Sequence, residues 1–378
     1  MMQGFSNARI VLEDVVLHGA VLLGAGGNIA DILRETSPIL GTEDCTGDFL
    51  LPGFVDMHTD NLERQVQPRS HVRWPSRSAF LAHDAQCAAM GITTVANALC
   101  VGDAGFESGR IQTLKNAVVD LAALDASGSL RADHVLHLRC ELSAPNMQEL
   151  FEAVMDHAKL QMVSLMDHTP GVGQYANLDK FRKSRRDEGY SSEELEGMIR
   201  EAQTRRHTHS EKNRSYLLEQ LKYSPLVLAS HDDRTEAEVL RNAQDGIKVA
   251  EFPVSMEAAR TARQQGMAIV VGAPNVVRGG SHSGNVAVSD LVKARCVDVL
   301  ASDYVPNALC EAAFRMVDDG LLALPEAVRM ITAAPAHMLG LPDRGAIRVD
   351  LRGDLVRIQL VDGHPIIRSV WKAGLRIA

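Results

Sequence analysis

The chain has 378 residues, 46% of them apolar and 23% charged, a globular balance that argues against long disordered segments. Lysine and arginine total 39 against 48 aspartates and glutamates, and the net charge of −9 does not provide the overall basic field of a nucleic-acid binder. No apolar run approaches the roughly 18 residues of a membrane span, and the first residues carry no secretory signal pattern, so a soluble cytoplasmic protein without a membrane partner is expected.

Residues 1–50 read as short strands, ARIVLEDVVL and AVLLGAGGNIADIL, broken at Gly24 and Gly26-Gly27. The last forty residues repeat this character, with LVRIQLV and PIIRSVW on either side of the Asp362-Gly363 turn. Two β-rich ends predict one small sheet domain made of 1–51 and 340–378. Between them, 52–339 alternates short buried strands with helical stretches. The strands are FVDMH, ITTVANAL, VLHLRCE, QMVSLMDH, LVLASH, KVAEFP, AIVVGAP and VDVLASD. Eight strand–helix units predict an α/β fold with a parallel (β/α)8 barrel. An open doubly wound sheet is the alternative, but no GxGxxG follows the first strand. The charged interval 170–224 is too long for a connection and predicts two inserted helices, either a lid or a solvated excursion. Cys45, Cys87, Cys100, Cys140, Cys296 and Cys310 are scattered without a CxxC pair and read as buried thiols.

Polar residues at the strand ends carry the chemistry. His58 and Asp60 are two apart and share a face, and alternation puts His137, Arg139 and Glu141 on one face of the next polar strand. His168, His231 and Asp303 close three more strands. In a barrel these carboxyl-terminal ends meet at one mouth. Three histidines and three carboxylates there would suit two divalent cations, zinc first and manganese or iron(II) as alternatives. Such ions lower the pKa of bound water towards about 7. A lone His-x-Asp pair is weak evidence that also fits a cap or a satisfied core group, and His168 or His231 alone reads more readily as a structural histidine; the ordered set carries the inference. His18, His71, His83, His157 and His364 read as bystanders, His134 and His137 as strand residues off the metal, and His207 and His209 as exposed.

With these residues in place, the chain resembles the amidohydrolase superfamily. LPGFVDMHTD looks like the lead into its first strand, and ITAAPAHMLGL like its late helix. The resemblance implies a distorted barrel with a β-sandwich from both termini. Asp60 replaces the second histidine of the usual His-x-His. Glu141 takes the place of the fourth strand's carbamylated lysine. Both departures, with HTDNLERQVQPR and GAPNVVRGGSHSGNV, resemble the diphosphatases of phosphonate catabolism. The resemblance implies that His58, Asp60, Glu141 and Asp303 hold one metal and Glu141, His168 and His231 the other, with Asp303 also accepting a proton. It implies cleavage of ribose 1-methylphosphonate 5-triphosphate to the 5-phosphate and pyrophosphate, and a homo-oligomer. In RGGSHSGN, Gly279 and Gly280 let the backbone approach, while Arg278, Ser281, His282, Ser283 and Asn285 offer donors to phosphate oxygens. Arg64 and Arg69, with Lys180, Arg182, Lys183, Arg185 and Arg186, could neutralise the triphosphate, and Lys180→Ala is expected to raise KM. The alternatives are C–N hydrolysis, as in a cyclic amidase or heterocycle deaminase, and a metal-bearing barrel with only a binding role.

Overall fold

Two eight-stranded sheets organise the chain in a computed structural model that describes residues 3–35, 37–69, 72–103, 109–281 and 285–378. The first sheet takes β1 (Gln3–Val11), β2 (Val16–Leu23), β3 (Ile29–Leu33), β4 (Glu43–Asp44) and β5 (Phe49–Pro52) from the amino-terminal part. The barrel follows as β6 (Phe54–Thr59), β7 (Ile92–Val101), β8 (Asp133–Glu141), β9 (Leu160–Met166), β10 (Val227–His231), β11 (Val249–Glu251), β12 (Ala268–Gly272) and β13 (Val299–Ala301). The chain then returns to the first sheet with β14 (Leu355–Val361), β15 (His364–Lys372) and β16 (Leu375–Arg376).

The first sheet runs β16-β15-β14-β5-β1-β2-β3, with β4 beside β1. Its two halves join where β14 lies antiparallel to β5, Leu355 opposite Pro52. The β-rich ends therefore do pair, as their composition predicts. Gly53 is the joint to the barrel: its N–H donates to the carbonyl of Asp354 at 2.8 Å. A Cβ there would stand 2.4 Å from Thr93 Oγ1 and 2.9 Å from Asp354 Cβ.

Strands β6 to β13 are parallel and ordered by sequence, and an isolated parallel bridge between Thr59 and Asp303 closes the ring. Strands covered on both faces read as near-continuous apolar runs, and every residue of β6 and β7 is buried. The interior is filled by Val55, Met57, Ala96, Val135, Met162, Ala229, Val249, Val270, Val299 and Ala301. Leu136, Leu138 and Cys140 of β8 point the other way, into the layer between barrel and helices. That leaves His137, Arg139 and Glu141 inside, as alternation requires.

Between β9 and β10 lie two helices, Leu178–Asp187 and Ser192–Leu221. The longer starts at a capping box of Ser191 and Glu194. Its Asn213 amide donates to the carbonyls of Leu142 at 2.9 Å and Ala144 at 2.8 Å, and its Arg206 donates to Asp167 at 2.6 Å. The insertion is thus tied to the loops that follow β8 and β9. Among the described residues no helix is long and apolar enough to cross a membrane.

Candidate active site

A cavity of about 460 Å³ opens at the carboxyl-terminal mouth of the barrel, and His58, Asp60, Glu141, His168, His231 and Asp303 all line it. His58 lies near the end of β6, where a register shift between Asp56 and Thr59 turns it to the same side as Met57. Asp60 precedes the helix Asn61–Val66 without capping it, which leaves its carboxylate to the cavity. His231 is the last residue of β10, while His168 and Asp303 lie two residues beyond β9 and β13.

The strand expected for Glu141 needs correction. Glu141 ends the third strand of the barrel, because β7 intervenes between β6 and β8, so the fourth strand's place belongs to His168. Glu141 is fully buried and well supplied with donors: Ser143 Oγ gives to Oε1 at 2.7 Å, and the His168 N–H reaches both oxygens at 3.2 Å. His168 Nδ1 stands 3.3 Å from Oε2. Burial alone would raise the Glu141 carboxyl, but the His168 and Ser143 donors hold it below the ordinary range.

Three residues outside the expected ligand set enter the site. Glu251 ends β11 fully buried, with Oε1 3.0 Å from His58 Nδ1 and Oε2 3.3 Å from His231 Nδ1. Its signal was the lone charge closing an apolar strand. Asp232 follows His231, and alternation would turn it away from the mouth. Its φ of 59° reverses that, and Phe252 at 53° and Asp303 at 56° are twisted in the same way just past β11 and β13. Left-handed backbone at such residues is strained and concentrates at functional sites. Arg139 stands inside the mouth, 3.3 Å from Glu63 and 3.8 Å from Asp60.

Electrostatics divide the carboxylates. Burial, reinforced by the neighbouring Asp60 charge, pushes Asp303 up to about 7. Burial also pushes Asp56 up to about 7 despite the donors of Ser302, which clamp it beside the seam. His168 Nε2 and Asp232 Oδ2 are buried without a hydrogen-bond partner among the described residues. They are 3.9 Å apart, and His231 Nε2 is 3.7 Å from the same Asp232 oxygen. A divalent cation with bonds of about 2.0–2.2 Å fits between donors at such spacings. Among the described residues two groups could hold an ion: His168, His231 and Asp232, or His58, His231 and Glu251.

The expected phosphate donors divide as well. Arg278, Gly280, Ser281 and Asn285 line the cavity; Gly279 is not part of its lining, and His282 and Ser283 lie outside the described residues. Arg64 and Arg69 are exposed and off the lining, with Arg64 donating to the carbonyl of Tyr304 at 2.8 Å. Of the insertion cations named above, Arg185 reaches the cavity and Lys180 does not. Arg110 and Arg139 also line the cavity, so four guanidiniums share it with the carboxylates.

No family model matches the chain. It is 39% identical over 375 residues to the alpha-D-ribose 1-methylphosphonate 5-triphosphate diphosphatase of Escherichia coli (strain K12), covering 98% of this chain and 99% of that protein. Solved structures share the fold at low identity. The 5-methylcytosine deaminase of Klebsiella pneumoniae superposes with a TM-score of 0.64 at 15% identity, covering 100% of this chain and 97% of that one. For the dihydropyrimidinase of Brevibacillus agri the values are 0.62 and 14%, over 100% and 95%. Closed parallel barrel, sheet from both ends and near-full-length relative agree: the chain belongs to the alpha-D-ribose 1-methylphosphonate 5-triphosphate diphosphatase family.

Proposed function

We propose that this chain hydrolyses alpha-D-ribose 1-methylphosphonate 5-triphosphate between its α and β phosphates, with water entering at the α-phosphorus and pyrophosphate leaving. The observation that carries this reading is one cavity holding His58, Asp60, Glu141, His168, His231 and Asp303 together with Arg110, Arg139, Arg185 and Arg278. Carboxylates and imidazoles suit divalent ions, and guanidiniums suit phosphate oxygens. A cyclic amide or heterocycle would not call for so many cations.

In this reading His58, Asp60 and Asp303 would hold one divalent ion and His168, His231 and Asp232 a second. Glu141 would serve as a carboxylate ligand to both. The unpartnered His168 Nε2 and Asp232 Oδ2 support the second group. Zinc is the first choice, and the oxygen-rich donor set also suits manganese or iron. When bound, such ions polarise phosphoryl oxygens and lower the pKa of water. Asp303, whose carboxylate lines the same cavity, takes the proton of the attacking water. Arg139 and Arg278 face the charge that grows on the equatorial oxygens, and Arg185 holds the far phosphates.

The test is release of pyrophosphate from that substrate by metal-reconstituted protein, beside a chelated control and an ammonia assay with cyclic amides and amino-heterocycles. Metal-dependent pyrophosphate is the expected result. Protein shown to hold metal that releases none would overturn the reading.

A further inference from the structure

We propose that Glu251 sets the tautomer of both His58 and His231, so that each ring offers Nε2 to a metal ion while Glu251 itself stays outside the coordination shell. The proposal deepens the reading of the cavity as a metal centre and rests on it; it does not depend on the substrate. Glu251 is fully buried at the end of β11. Its Oε1 is 3.0 Å from His58 Nδ1 and its Oε2 is 3.3 Å from His231 Nδ1. An ionised carboxylate only accepts, so both Nδ1 atoms must carry hydrogen, and a neutral ring protonated there keeps its Nε2 lone pair.

The third imidazole nearby does not compete. His137 Nδ1 faces the carbonyl of Met57 at 3.2 Å and must donate to it, so Nε2 accepts from Ser164 Oγ at 2.9 Å. Its 3.5 Å approach to Glu251 therefore carries no donor. Each Glu251 oxygen is left to one metal-facing ring. The two rings lie nearly parallel, 5.6 Å apart with 24° between planes, and Phe252 packs edge-on against both at 4.8 and 5.3 Å. On the far side of His231, Nε2 points to the unpartnered Asp232 oxygen. A carboxylate behind a ligating histidine orients the ring and raises its basicity. Here one carboxylate would serve two histidines, coupling the two metal positions.

Glu251→Gln distinguishes this role from ligation and from mere packing. An amide has one accepting oxygen and one donating nitrogen, so it can serve only one ring and drives the other to protonate Nε2. The expected result is zinc affinity at one position weakened about 10–100-fold by chelator competition. Long-range ¹H–¹⁵N spectra of histidine-labelled zinc-loaded wild type should show two rings protonated at Nδ1 and bound through Nε2 that depend on Glu251. This wild-type measurement stands even if the variant does not fold. Unchanged affinity and tautomers in Glu251→Gln, or Nδ1 coordination in the wild type, would overturn the proposal while leaving the metal centre intact. Wild-type protein that takes up no zinc would overturn the metal-centre reading and this inference with it.

Discussion

Asp303 and His58 share a backbone hydrogen bond: the Asp303 N–H donates to the His58 carbonyl at 3.0 Å. The Asp60 N–H returns one to the Asp303 carbonyl, also at 3.0 Å, and Thr59 Oγ1 adds a third at 2.9 Å. These bonds close the seam of the barrel, so the contact that completes the ring also brings together three residues of the candidate centre. Closing the ring therefore also fixes the positions of these three residues.

Asp303→Asn removes a buried carboxylate that burial and Asp60 have already pushed towards neutrality, and it leaves the backbone seam in place. Turnover should fall by about 10²–10⁴, the usual contribution of a positioned proton acceptor. The melting temperature of the metal-free protein should hold or rise. Steady-state kinetics on metal-loaded protein and thermal unfolding check the two halves.

Arg185 lines the cavity, pairs with Glu188 at 2.7 Å and lies 5.5 Å over the Phe181 ring. Arg185→Ala should raise KM about tenfold, equivalent to ~1.4 kcal/mol of lost binding, with little change in kcat. Lys180→Ala, exposed and off the cavity, should leave both constants near wild type. Equal effects from the two variants would mean that the insertion acts through its overall charge.

Gly53→Ala tests the joint between the two sheets. The added Cβ would meet Thr93 Oγ1 at 2.4 Å and Asp354 Cβ at 2.9 Å, so backbone must move. Overpacking of this kind costs about 1–3 kcal/mol. A lower unfolding midpoint in denaturant at unchanged m-value is the expected observation.

Asp133, at the start of β8, receives Arg344 and Arg352 at 2.6 Å and Lys372 at 3.0 Å. Burial alone would raise its carboxyl, but these cations hold it well below the usual 3.8. A depressed folded-state pKa gives stability that is present above the unfolded value and lost as pH falls below it. Asp133→Asn should therefore be less stable than wild type at neutral pH, by about 1–2 kcal/mol given that the carboxylate is one-third exposed. The gap should narrow below pH 3.8. Denaturant titrations at pH 7 and below pH 4 measure it.

Much of this site was legible before the fold was known. A parallel strand buried on both faces is largely apolar until it reaches the mouth, so the polar residue that ends the run marks a candidate site; His58, Glu141, His168, His231 and Asp303 all announce themselves in this way, although Asp56, Asn97 and His137 are buried within the strands. The pairing of the β-rich ends was legible for a similar reason, since alternating strands without partners must find one. What those patterns could not show was decided by tertiary structure. The bond between Thr59 and Asp303 spans 244 positions and exists only because eight strands close into a ring. Asp232 faces the mouth through a left-handed φ, which no alternation rule anticipates. Arg185 rather than Lys180 reaches the cavity, because a long flexible cation is placed by the helix that carries it and not by its charge. Glu251 matters through the two nitrogens it touches, one from β6 and one from β10. The sequence by itself determined which residue types end the strands, because burial acts on each strand alone. Only the closed barrel decided which of those groups stand within reach of one another, because those relationships are distances between strands.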